Sequence, residues 1–122
     1  MKLYGLDFEP KKAEFTQQGA VVYYDEEMTE VVDPETDVKS KKWNCCYSRF
    51  GNHPTYGEIV SAIIGERYSQ DAQYAILANY QLDGETEEYL AFQARRAYAK
   101  QVAKQALEAL KGRSSLIFEY DY

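Results

Sequence analysis

The residues that most often build reactive or metal-holding sites are scarce in this chain of 122: one histidine, His53, and two cysteines, Cys45 and Cys46. No four-ligand zinc site can be assembled from so few thiolates and imidazoles. Adjacent cysteines rarely bridge each other, because a disulfide needs a Cα spacing and side-chain directions that consecutive residues do not offer. On a strand the two point to opposite faces, so free, buried or half-buried thiols in a reducing compartment are expected. Long apolar runs are missing as well. No window approaches the roughly 18 apolar residues of a membrane span, and Met1-Lys2-Leu3-Tyr4-Gly5-Leu6-Asp7 has no signal-peptide core. Basic residues are in deficit, 14 against 20 acids, for a net charge of −6. Residues 1–52 and 53–122 each hold ten acids and seven bases, so neither half is a basic arm. That balance disfavours binding to nucleic acid or an anionic membrane, which calls for clustered Lys and Arg.

What is present fits one folded domain over residues 1–122, with 45% hydrophobic and 28% charged residues. Tyrosine is abundant, at twelve, beside five Phe and one Trp. Its apolar body and polar tip suit half-buried positions and protein interfaces equally.

Residues 1–52 have the pattern of strands and loops. Leu3, Tyr4, Leu6 and Phe8 make a short apolar start stopped by Pro10. Glu14-Phe15-Thr16 leads into a turn at Gln17-Gln18-Gly19, and Ala20-Val21-Val22-Tyr23-Tyr24 is the best strand candidate. Glu30-Val31-Val32 is a second run, ended by the turn chemistry of Asp33-Pro34-Glu35-Thr36. In the segment from Lys41 to Phe50, alternation puts Trp43, Cys45, Tyr47 and Arg49 on one face and Cys46, Ser48 and Phe50 on the other. Seven acids and no base lie between Asp25 and Asp37, with Lys39, Lys41 and Lys42 following at once. A solvated hairpin tip is the expected setting. A calcium loop is excluded, since Asp33-Pro34-Glu35-Thr36-Asp37 lacks the central Gly and carries Pro.

After Pro54 the period becomes helical. Thr55-Tyr56-Gly57-Glu58 is a capping box, followed by a stripe of Ile59, Val60, Ile63 and Ile64 with Tyr56 and Arg67, ending near Tyr68. Ser69 caps a second helix of about three turns, with Ala72, Ala75, Ile76, Asn79 and Tyr80 on one face and Gly84 closing it. Thr86 caps a third. Acids crowd its start, and Lys100, Lys104 and Lys111 favour its later half, as the helix dipole prefers. Its stripe of Tyr89, Phe92, Ala99, Ala103, Ala106, Leu107 and Leu110 is interrupted at Arg96, and Gly112 is the expected stop. Leu116-Ile117-Phe118-Glu119-Tyr120-Asp121-Tyr122 is β-like and needs a sheet to pair with. The expected class is therefore α+β: N-terminal antiparallel strands or a hairpin (1–52), three helices (53–112) and a short C-terminal strand or tail (113–122).

No catalytic set converges. There is no Gly-rich phosphate loop, GxSxG, HExxH or CxxC. His53 precedes Pro54 in a turn and is expected to cap or face solvent; Cys46 with His53 would lack a third orienting group. Glu87 and Glu88 diverge by about 100° on a helix. Arg95-Arg96 is expected to pair with Glu88 or Glu66. No enzyme activity, cofactor or metal is expected.

Trp43-Asn44-Cys45, the run from His53 to Ile64, Glu66-Arg67-Tyr68-Ser69-Gln70-Asp71, Ala75-Ile76-Leu77-Ala78-Asn79-Tyr80 and Tyr89-x-x-Phe92-Gln93-Ala94-x-Arg96-x-x-Ala99 carry a resemblance. Over a little under half its length the chain resembles small proteins, mostly without assigned role, of gut Bacteroidales bacteria and their tailed phages. The matching residues frame helices and supply no catalytic groups to carry over. The resemblance implies a phage or prophage virion-associated structural, adaptor or assembly protein, in the virion or host cytoplasm. Its partners would be other virion or assembly proteins and, in one version, further copies of itself. The expected contact residues are Trp43, Tyr47, Phe118, Tyr120 and Tyr122. The alternative is a small acidic anti-defence inhibitor whose Asp25–Asp37 segment mimics nucleic acid.

Overall fold

The computed structural model describes the backbone from Met1 to Tyr120 and the side chains to Lys111. The chain divides into two compact units, Met1–His53 with Glu108–Tyr122, and Pro54–Leu107.

The first unit holds a four-stranded antiparallel sheet in the order β1-β4-β3-β2, with β1 at Lys2–Leu6, β2 at Ala13–Thr16, β3 at Gly19–Val32 and β4 at Lys39–Arg49. Thr16 pairs with Gly19 across a two-residue turn, where the Thr16 hydroxyl donates to the Gly19 carbonyl (3.0 Å) and accepts from Gln18 N–H (3.2 Å). The two strand runs expected on either side of the Asp25–Glu27 acids are one strand. A bulge absorbs the interruption: the β3–β4 register shifts by one residue between Tyr24 and Glu27, with Asp25 at φ 55°. A second bulge, between Leu3 and Leu6, lies on the other flank of β4, where Gly5 N–H donates to Asn44 Oδ1 (3.0 Å). Asp33 N–H reaches the Val38 carbonyl (3.0 Å) to close the β3–β4 turn, and the Asp33 carboxylate accepts from Glu35 N–H (2.9 Å). Ala20, Val22, Tyr24 and Cys46 are buried on one face, and the Tyr24 and Ser48 hydroxyls hydrogen-bond there at 2.7 Å.

The second unit contains α1 (Tyr56–Arg67), α2 (Gln70–Asp83) and the start of α3 (Glu87–Tyr120). Each helix begins at the expected cap. Thr55 and Glu58 form the full capping box, the Ser69 hydroxyl accepts from Ala72 N–H, and the Thr86 hydroxyl accepts from Tyr89 N–H. Gly84, at φ 75°, ends α2. Ile59, Ile63 and Ile64 of α1 are buried, but α2 buries Ile76 alone while Ala75, Asn79 and Tyr80 are exposed. Two aromatic pairs join these helices to α3: Tyr68 edge-on to Phe92 (5.1 Å between ring centroids) and Tyr80 stacked on Tyr89 (4.1 Å).

Two expectations about α3 are corrected. Its apolar stripe is not broken at Arg96, because the buried positions run Phe92, Arg95, Ala99, Val102, Ala103, Ala106 and Leu110. The stem of Arg95 fills the gap, and its guanidinium donates to the Ile63 carbonyl. Nor does the helix stop at Gly112. It continues to Tyr120, so residues 116–120 are helical where an extended segment was expected. An interior Gly costs a helix only about 1 kcal/mol relative to Ala, and local i→i−4 bonding requires no neighbouring strand. Asp121 and Tyr122 lie outside the described residues.

Candidate interaction surface

The sheet's second face is where the expected contact residues of β4 fall. Cross-strand pairing places Leu3 opposite Cys45, Leu6 and Met28 opposite Trp43, Tyr23 opposite Tyr47, and Val21 opposite Arg49. All these side chains therefore share one face. Val21 and Cys45 are buried at its centre, while Leu3, Leu6, Tyr23, Trp43 and Tyr47 are half-buried and Met28 and Arg49 exposed. A half-covered apolar face with aromatic rings on it is the kind of surface that a protein partner completes.

Its polar groups are held in place. The Tyr23 and Tyr47 rings meet at a tilt, 6.5 Å between centroids, and the Arg49 guanidinium lies 5.7 Å from the Tyr47 centroid. Arg49 also donates to Gln18 Oε1 (2.9 Å), and the Tyr23 hydroxyl donates to Glu14 Oε1 (2.7 Å). Beside Tyr23 and Glu14 a cavity of about 190 Å³ opens between Leu3, Leu6, Phe8 and Pro10. Burial pushes the Tyr23 hydroxyl up to about 12, with the Glu14 carboxylate adding to the shift and Arg49 opposing it. Burial likewise raises the Cys45 thiol, assisted by Glu26 and Cys46, which keeps it protonated and unreactive near neutral pH.

The raised Tyr23 value makes a pH prediction. The folded state favours the protonated phenol, so this contribution is present below the ordinary value of 10.0 and is lost as the pH rises through about 12. Tyrosinate absorbance should show a late-ionising phenol that is missing in Tyr23→Phe. The native chain should also lose stability above pH 10 more steeply than that variant does. Coincident profiles would contradict the Tyr23–Glu14 arrangement.

Trp43 and Tyr47 are thus brought to one surface. Phe118, Tyr120 and Tyr122 lie outside the residues whose side chains are described. Tyr23, Leu3, Leu6 and Met28 belong to the surface although the sequence does not single them out. Alternation along Val21-Val22-Tyr23 would have placed Tyr23 opposite Val22, but joining it to Tyr47 requires the cross-strand register. His53 is exposed in the turn before Pro54, and Cys46 lies on the buried face. Among the described residues no cluster of His, Cys, Asp and Glu is arranged to hold a metal, and no helix is long and apolar enough to cross a membrane. Comparison with protein-family models, with curated proteins and with solved structures gives no match to this chain.

Proposed function

We propose that this chain is a non-enzymatic interaction protein, a structural, adaptor or assembly component of a phage or prophage particle. The observation that carries the interaction role is the half-covered sheet face of Trp43, Tyr47, Tyr23, Leu3 and Leu6. Buried aromatic anchors surrounded by a polar rim are where binding energy concentrates in protein interfaces, and Arg49, Gln18 and Glu14 supply such a rim here. The phage setting rests on the sequence resemblance alone. The decoy reading has less support, because Lys41 and Lys39 stand across the ladder from Glu30 and Val32 and dilute the acidic run.

The combination Trp43→Ala with Tyr47→Ala tests the reading. Each truncation at an interface centre should cost about 2 kcal/mol of binding, so the pair should deplete the chain from purified particles and assembly intermediates. The native chain should be present in them by mass spectrometry. A native chain missing from both fractions would sink the proposal, as would a folded double variant that is incorporated at the native level.

A further inference from the structure

The distal half of the β3–β4 hairpin leaves the sheet. β2 pairs with β3 only over Gly19–Val22 and β1 with β4 only over Trp43–Cys46, so residues 29–32 and 39–42 pair with each other alone. Such a two-stranded ribbon presents an unpaired backbone edge on each side. It is also exposed on both faces, with Met28, Val31, Val32 and Val38 between 44% and 60% accessible. Two strands with no covered face are marginal by themselves, which favours addition of further strands.

The two edges carry opposite charge. On the face that carries Met28 and Trp43, Glu30 stands on β3 and Lys39 and Lys41 on β4, while Glu27 lies on the opposite face. Although Glu30 is opposite Lys41 in the ladder, none of these four makes an ion pair among the described residues. Joining like edges through a two-fold axis would set acids against acids or lysines against lysines, which is unfavourable across a ladder. Joining the β3 edge of one copy to the β4 edge of the next instead brings Glu30 to Lys39 and Lys41, which all lie on the face that carries Trp43. It also continues the up-down strand order already present and keeps each side chain on its own face.

We propose that the β3–β4 ribbon joins copies of this chain head to tail, the acidic β3 edge of one against the lysine-bearing β4 edge of the next. Such a contact is heterologous, so it builds a ring or a filament in place of a closed dimer. This goes beyond the partner-binding reading, since it uses strand edges and not the aromatic face.

Sedimentation of the full chain over a concentration series tests it. At low salt the mass should rise above the 14.1 kDa of one chain as concentration increases. It should fall back near 1 M salt, where charges are screened beyond about 3 Å. Two charge-reversed chains, one with Lys39→Glu and Lys41→Glu and the other with Glu30→Lys, should each weaken self-association by about tenfold or more. An equimolar mixture of the two should associate again, since each then offers the charge the other requires. Lys39 faces Val32, so Lys39→Glu alone sets no like charges across the chain's own ladder and serves if a reversed chain does not fold. A single 14.1 kDa species at every concentration and salt would overturn the proposal. So would association indifferent to both reversals, or reversed chains that fold but do not associate with each other.

Discussion

Replacing Gly19 by alanine should destabilise the protein by about 3 kcal/mol or more, although it adds a single methyl group. Gly19 opens β3 at φ 120°, a backbone conformation that L side chains rarely adopt. A Cβ built there would stand 2.3 Å from the Phe50 carbonyl oxygen, which is backbone and cannot rotate away. Phe50 N–H donates to the Ala20 carbonyl (2.8 Å) and Ala20 N–H to the Gly51 carbonyl (3.3 Å), so any shift also breaks the hydrogen bonds that follow β4. Strain at such a position costs about 1–3 kcal/mol and each lost backbone bond about 1 more. Gly51→Ala is the control: no atom lies within 4 Å of its Cβ and its φ is ordinary. That substitution should be neutral or stabilising by up to about 1 kcal/mol, through the unfolded chain. Urea midpoints compare the two. Equal midpoints would mean that the sheet accommodates a side chain at residue 19, contrary to the geometry.

Gly19 also marks where sequence reasoning reaches its limit. A turn at Gln17-Gln18-Gly19 is legible from residue types, because turn chemistry is local. So are the caps at Thr55, Ser69 and Thr86, each a hydroxyl placed three residues before the N–H it accepts. What is not legible is how closely residues 50–51 approach Gly19, since that contact is set by packing between strands. The bulge at Asp25 was hidden for a similar reason. Three acids in succession resemble a loop, yet one residue in the left-handed region lets the ladder continue past them. The candidate surface on the sheet shows the same division. Period-two alternation places Trp43 and Tyr47 together from sequence alone. Adding Tyr23, Leu3 and Met28 requires a register that two bulges have shifted.

Arg95 provides the largest test within the helical unit, and magnitudes decide the sign of its effect. It is only 5% accessible, and both Nε (3.2 Å) and Nη2 (2.9 Å) donate to the Ile63 carbonyl. Burying a guanidinium is costly, and an apolar replacement of the same volume can recover part of that cost. Against this stand two charge-assisted hydrogen bonds to the C-terminal half of α1, where the helix dipole presents partial negative charge. Hydrogen bonds involving a charged group contribute about 1.5–3 kcal/mol, and the contact of Arg95 with the Tyr98 ring, 5.2 Å to the centroid, adds to them. Losing two such bonds outweighs the recovered desolvation, so Arg95→Met should destabilise by about 2 kcal/mol. Arg95→Ala also removes the stem that fills the stripe between Phe92 and Ala99, and should cost about 3–4 kcal/mol. Arg95→Lys should not rescue fully, since one ammonium cannot reproduce the fork of two N–H groups on one carbonyl. Thermal unfolding of the three variants separates these contributions. A Met variant as stable as the native chain would show that the polar contacts of the Arg95 guanidinium give no net stabilisation.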